Sequence, residues 1–149
     1  MGSLRACNRQ RIDSLPTWKD KEGDRRSRVL IVEDDRASRR ALLMLLKLRG
    51  FDATHACNMG EALEQLESQP DVVLLDLMLP DGNGAMILDY IRRNNLPMRV
   101  AITSGASNWQ ALIGDGPHKP DAFFSKPLQF DQLMGWLSDS AGTLVSTDQ

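Results

Sequence analysis

The run Val72-Val73-Leu74-Leu75-Asp76, continued by Leu77-Met78-Leu79-Pro80, puts a carboxylate at the end of four consecutive apolar residues and just ahead of a proline-marked turn. A short run rich in leucine and β-branched residues is the pattern of a strand buried on both faces, as in a parallel sheet covered by helices on either side. An acid at the C-terminal end of such a strand is carried to the rim of the sheet rather than left in its core. That rim is where open parallel sheets bind ligands.

From residue 28 onward the chain alternates strand and helix patterns. Val29-Leu30-Ile31-Val32 predicts a buried strand followed by Glu33-Asp34-Asp35. Ala37, Ala41, Met44, Leu45 and Leu48 then recur at i, i+4, i+7, i+8 and i+11, the apolar stripe of a helix, with Arg36, Arg39, Arg40, Lys47 and Arg49 largely on its other faces. Gly50 supplies the stop. Residues 51–56 predict the second strand, and Asn58 with Glu61 resembles a capping box that opens a helix through Ala62, Leu63 and Leu66. The strand ending at Asp76 is third. Pro80-Asp81-Gly82-Asn83-Gly84 is a turn cluster, and Met86, Ile87, Tyr90 and Ile91 give the next helical stripe. Val100-Ala101-Ile102 precedes Thr103-Ser104-Gly105, and Ala122-Phe123-Phe124 precedes Ser125-Lys126-Pro127. Phe130, Leu133, Met134 and Leu137 line a last helix. Only residues 108–113 are helical in pattern between the last two strands, because the run Gly114-Asp115-Gly116-Pro117-His118-Lys119-Pro120 cannot continue a helix. The expectation is an α/β domain of five parallel strands with helices on both faces and a short fourth helix.

Five functional groups then land on one rim: Glu33 and Asp34, Asp76, Thr103 and Lys126. Carboxylates brought within ~4 Å of one another repel by roughly 4 kcal/mol per pair at an effective dielectric near 20, so the cluster calls for a cation. Hard oxygen donors suit Mg²⁺, with Mn²⁺ as a substitute. Asp76 is then placed as a nucleophile toward a phosphoryl group. Lys126 and the metal would neutralise the phosphoryl oxygens and the Thr103 hydroxyl would donate to one of them. Before phosphorylation, Lys126 is expected to pair with Asp76.

Composition narrows the setting. With 149 residues there is room for one ordinary domain and short extensions. Residues 1–27 hold seven basic and four acidic side chains, a balance of +3, and show no apolar periodicity. They are expected to form a flexible basic extension, with residues 28–139 as the domain and 140–149 as a flexible tail. The net charge of −2 argues against bulk electrostatic binding of nucleic acid or anionic membrane. Cys7 and Cys57 follow no metal-ligand spacing and read as free thiols, and no apolar run reaches the length of a membrane span. The expected location is the cytoplasm. His55 and His118 match no ligand spacing, and Trp109 and Trp136 read by default as packing residues.

The blocks Val29-Leu30-Ile31-Val32-Glu33-Asp34-Asp35, Leu74-Leu75-Asp76-Leu77-Met78-Leu79-Pro80-Asp81-Gly82-Asn83-Gly84, Ile102-Thr103-Ser104-Gly105-Ala106 and Phe124-Ser125-Lys126-Pro127-Leu128 resemble, in order and spacing, the motifs of the response-regulator receiver domain of two-component signalling. The resemblance spans about residues 28–139. It implies a flavodoxin-like (βα)5 fold with strand order 2-1-3-4-5 and a phosphoacceptor rather than an enzyme in the usual sense. It assigns Asp76 as phosphoacceptor, Asp34 as direct Mg²⁺ ligand, Glu33 as an outer acid acting mainly through water, and the Met78 backbone carbonyl as a further ligand. Thr103 and Lys126 take the roles their charges suggest, and the Lys126-Pro127 bond is expected to be cis. Asp35 is assigned no role beyond solvated surface. Phe123 holds the family's switch position without the hydroxyl of the common Tyr, so a switch based on burial is open to it. Met78 and Gly105 occupy the positions that tune hydrolysis, and neither side chain can orient a water, which implies a long-lived phosphoryl group.

The implied donor is a histidine kinase or histidine phosphotransfer protein, and the implied reader is a downstream protein. A stand-alone regulator, monomeric or weakly dimeric, is the leading expectation, with a phosphorelay shuttle or the receiver of a hybrid histidine kinase as alternatives. A haloacid-dehalogenase-like phosphatase also uses an aspartyl phosphate, but it needs an acid where this chain has Met78. No glycine-rich phosphate loop follows the first strand, which disfavours a nucleotide-binding domain.

Overall fold

The structure, a computed structural model, describes residues 27–105 and 109–139. The expected tail and all but the last residue of the expected N-terminal extension lie outside the described residues, as does residue 108 of the expected fourth helix. Five strands form one parallel sheet: β1 (Arg28–Val32), β2 (Asp52–Ala56), β3 (Val72–Asp76), β6 (Arg99–Ser104) and β7 (Ala122–Ser125). Their spatial order is β2-β1-β3-β6-β7, the 2-1-3-4-5 order of the expected fold. Between β3 and β6 in the chain, β4 (Met78–Leu79) and β5 (Gly82–Asn83) pair as a short antiparallel ribbon of two residues a side. The sequence predicts only a turn there. Pro80 and Asp81 are its tip.

The alternation of side chains along each strand divides the core in two. Leu30, Val32, Val73, Leu75, Val100 and Ile102 point to the face covered by α2 (Met59–Leu66) and α3 (Ala85–Arg93). Val29, Ile31, Val72, Leu74 and Ala101 point to the face covered by α1 (Arg36–Leu48) and α5 (Phe130–Ser138). Strands sandwiched this way bury both faces, which is why they read as unbroken apolar runs. Trp136 belongs to the second face, fully buried and edge-on to Phe124.

One helix turns a different side inward from the one its periodicity suggests. The stripe Ala37, Ala41, Met44, Leu45 and Leu48 faces solvent, with Met44 63% and Leu48 78% exposed. The buried side is instead Leu42 and Leu46, with Leu43 and Arg39 half-buried beside them. Residues 41–46 are all apolar, so two stripes compete and only contact with the sheet chooses between them. In α3 the buried set is Ile87, Leu88 and Ile91, while Met86 and Tyr90 are exposed. Leu63 of α2 is also exposed.

Helix ends are specified locally. Asp35, expected only as solvated surface, is the N-cap of α1: its Oδ2 accepts from the Ser38 amide at 2.9 Å and from the Ser38 hydroxyl at 2.7 Å. Asn58 caps α2 by accepting from Glu61 N at 2.8 Å, and the Glu61 carboxylate accepts from Cys57 N at 2.8 Å. That second bond reaches one residue before the cap, a variant of the capping box. Gly50, at φ 92°, follows α1 in the left-handed conformation its stop requires.

Candidate functional site

Parallel strands end together, so the rim collects what each sequence block delivers. Glu33 and Asp34 follow β1, Asp76 ends β3, Thr103 lies in β6 directly beside Asp76 in register, and Lys126 follows β7. Glu33 is held down by its amide, which donates to Ala56 O at 3.0 Å, and Lys126 by its own, which donates to Ser104 O at 2.9 Å. The Lys126-Pro127 bond is cis, as expected. Glu33, Asp76 and Thr103 are buried at 3%, 5% and 3% exposure, whereas Asp34 is exposed.

The Lys126 ammonium donates to both buried acids, to Glu33 Oε1 at 2.7 Å and to Asp76 Oδ2 at 3.1 Å. The expected pairing with Asp76 is present, and the shorter contact is an additional one to Glu33. The other Glu33 oxygen accepts from Asp35 N at 3.1 Å. The other Asp76 oxygen accepts from Met78 N at 3.1 Å. Arg39 closes the edge of the site by donating to the carbonyls of Glu33 at 3.1 Å and Asp34 at 3.4 Å.

Burial pushes the Glu33 carboxyl above its usual range, although the Lys126 hydrogen bond and the Asp35 amide pull the other way. Burial alone would lower the Lys126 pKa, but the Glu33 hydrogen bond and the Asp76 charge and hydrogen bond together raise it. Lys126 therefore stays a cation. One carboxylate oxygen from each of Glu33, Asp34 and Asp76 lies within 4.8 Å of the others. At that spacing each pair of anions repels by roughly 3–4 kcal/mol at an effective dielectric near 20, and one ammonium shared by two of the three does not cancel it. The all-oxygen donor set fits a hard divalent cation such as Mg²⁺.

Around this centre, Phe123 is half-buried and its ring stacks on Trp109 in α4 (Trp109–Ile113), with centroids 4.2 Å apart and planes 14° from parallel. His118 pairs with Asp89, which makes it structural, and among the described residues no histidine joins the acidic cluster. Three contributions escape a reading of the sequence alone. The Asp81 carboxylate accepts from the amides of Met59 at 2.9 Å and Gly60 at 3.3 Å, tying the ribbon to the start of α2. Asn83 donates from Nδ2 to Leu112 O at 2.9 Å, across 29 residues of sequence. Gly84 lies against the backbone of Asp76 and Leu77. The Asp35-x-x-Ser38 spacing could have revealed a cap, but no local signal announces the Asn83 bond. No helix among the described residues is long and apolar enough to cross a membrane.

The model of the response regulator receiver domain matches residues 29–138. The transcriptional regulatory protein KdpE of Staphylococcus aureus is 32% identical over 108 residues, which are 72% of this chain and 46% of that protein. The chain thus spans less than half the length of the curated relatives it matches first. Among solved structures, the signal receiver domain of a putative Luxo repressor protein from Vibrio parahaemolyticus is 29% identical with a TM-score of 0.67, covering 76% of this chain and 88% of that one. The response regulator protein TrrA from Thermotoga maritima, solved in complex with Mg²⁺-BeF, is 25% identical with a TM-score of 0.68, covering 75% and 96%.

Proposed function

The chain belongs to the response regulator receiver family, and on that premise we propose that Asp76 accepts a phosphoryl group from a phosphohistidine on a kinase or phosphotransfer protein. The observation that carries this reading is the disposition of the Asp76 carboxylate, which lies between the Lys126 ammonium and the Met78 amide and within 4.8 Å of ligand atoms of Glu33 and Asp34. An Asp76 oxygen attacks phosphorus, the phosphorus–nitrogen bond of the donor breaks, and the imidazole leaves. Lys126 holds positive charge beside the reacting oxygen, and Thr103 donates its hydroxyl to the incoming group, a role supported by its being the register neighbour of Asp76.

Asp34, Asp76 and the Met78 carbonyl would hold Mg²⁺ or Mn²⁺ directly. Glu33 acts through water, a reading favoured by its two oxygens already accepting from Lys126 and Asp35. The bound cation supplies charge neutralisation at the phosphoryl oxygens. Met78, which is 60% exposed, and Gly105 offer no side-chain group to orient an attacking water. The phosphoryl group on Asp76 therefore persists for many minutes, and a release half-life of seconds would count against this.

The solvent-facing stripe on α1 begins beside Asp34 and Asp35 and is flanked by Arg36, Arg40, Lys47 and Arg49. Its apolar centre and basic edges suit an amphipathic helix with acidic flanks, carried by the histidine-bearing donor. Such a helix would lie next to the rim. Read this way, the protein is a receiver whose phosphorylation alters the surface offered to a downstream protein. Mg²⁺-dependent labelling with acetyl phosphate, read by intact mass, tests the acceptor. The parent gains one phosphoryl group and Asp76→Asn gains none. A labelled Asp76→Asn variant would remove Asp76 from this role.

A further inference from the structure

Five-residue α4 has no buried residue, and a helix this short has little stability of its own. Trp109, Leu112 and Ile113 pack partly buried against the core, and two further contacts among the described residues hold it, one near each end. At its first residue, Trp109 stacks on Phe123, whose strand neighbour in register is Ile102, next to Thr103. Near its last residue, the Leu112 carbonyl accepts from Asn83 Nδ2 at 2.9 Å. The Asn83 amide is itself fixed, because its Oδ1 accepts from Ala85 N at 2.9 Å. Asn83 also pairs with Met78 across the β4–β5 ribbon, and the Met78 amide donates to Asp76 Oδ1. A contact path therefore runs from the Asp76 carboxylate through Met78 and its ribbon neighbour Asn83 to the end of α4, with a hydrogen bond at either end of it.

We propose that Asn83 is a positioning residue that transmits the state of Asp76 to the C-terminal end of α4, independently of the Thr103 and Phe123 side. The proposal rests on Asp76 being the phosphoacceptor. Phosphorylating Asp76 turns its carboxylate into an acyl phosphate, which changes the charge and geometry of the group that Met78 N contacts, and Met78 is the register neighbour of Asn83 in the two-residue ribbon. A weakly held element clamped at both ends by the reacting loops is the kind of segment whose population a local charge change can shift.

Asn83→Asp tests this. It keeps an oxygen for Ala85 N and nearly the same volume, but replaces the donor to Leu112 O with an acceptor. The chain labelled with 5-fluorotryptophan reports on Trp109 by ¹⁹F NMR, the resonance being assigned with Trp109→Phe. The parent is expected to show a Trp109 shift on addition of Mg²⁺ and beryllofluoride. In Asn83→Asp that shift falls to less than about half while acetyl phosphate labels Asp76 within about twofold of the parental rate, a separation that loss of folding could not produce. Full parental response of Trp109 in Asn83→Asp would overturn the proposal. So would a parent that accepts label but leaves Trp109 unmoved. A parent that accepts no label would instead overturn the phosphoacceptor reading and this inference with it.

Discussion

Gly84→Ala separates local propensity from tertiary contact at the site. Gly84 has φ −58° and ψ −18° at the start of α3, a conformation alanine adopts without strain. The smaller conformational freedom of alanine in the unfolded chain would by itself favour the substitution by about 0.4–1 kcal/mol. The structure predicts the opposite sign. A methyl group on Gly84 would fall inside contact distance of the Asp76 carbonyl oxygen and lie 3.1 Å from Leu77 Cα and 3.2 Å from the Asp76 carbonyl carbon. All three are backbone atoms, so no side chain can rotate out of the way. Restoring an ordinary carbon–oxygen contact of ~3.3–3.6 Å requires the peptide after Asp76 to move by roughly an ångström. The hydrogen bond from Gly84 N to Leu77 O, 2.8 Å long, must stretch with it. Overpacking of this kind costs about 1–3 kcal/mol and a stretched hydrogen bond about 1 kcal/mol. A domain with a typical stability of ~5–15 kcal/mol remains folded. Displacing a reacting group by an ångström costs about 10²-fold in rate. The expected result is a urea midpoint lowered by an equivalent of roughly 2–3 kcal/mol and Mg²⁺-dependent labelling by acetyl phosphate slowed about a hundredfold. Parental labelling rate together with parental or higher stability would refute the reasoning.

Lys126→Met leaves Glu33 and Asp76 buried without their shared ammonium; it is expected to lose about 1–3 kcal/mol in EDTA, a value kept below that of a fully buried pair because the lysine is 26% exposed, and to recover much of it in Mg²⁺. Urea titrations in the two conditions measure this, and equal losses in both would contradict cation binding by these acids. Met44→Asp with Leu48→Asp alters only exposed positions, so melting should change by an equivalent of less than about 1 kcal/mol while transfer from a cognate phosphohistidine donor slows at least tenfold and acetyl phosphate labelling holds. Unchanged transfer from that donor would exclude α1 as the docking surface. Asp81 is held below its ordinary value of 3.8 chiefly by the Met59 amide, with a further contribution from Gly60. A folded-state value lowered in this way means a contribution that is complete above the ordinary value and lost as pH falls through the folded one. The urea-midpoint gap between the parent and Asp81→Ala should therefore be constant at neutral pH and close in acid, as pH falls below the ordinary carboxylate value and through the lowered folded one; a gap that persists in strong acid would show that the carboxylate charge is not what ties the ribbon to α2.

By itself the sequence determined the strands, their parallel direction and the five groups at their C-terminal ends, while their order followed from the family resemblance. Buried strands are unbroken apolar runs, and a parallel sheet brings every strand end to the same rim, so linear spacing translates directly into a site containing Glu33, Asp34, Asp76, Thr103 and Lys126. What only the tertiary structure decided is which of several locally equivalent choices each residue makes. Residues 41–46 of α1 carry apolar side chains all round, and contact with the sheet selected Leu42 and Leu46 for the core and left Met44 and Leu48 outside. Lys126 had two acids within reach and lies closer to Glu33. The Asn83 bond to Leu112 and the stacking of Trp109 on Phe123 join residues separated by too much chain for any periodicity to register. Periodicity reports what a segment can bury or bond. The identity of its partner is set by packing, which has no local code.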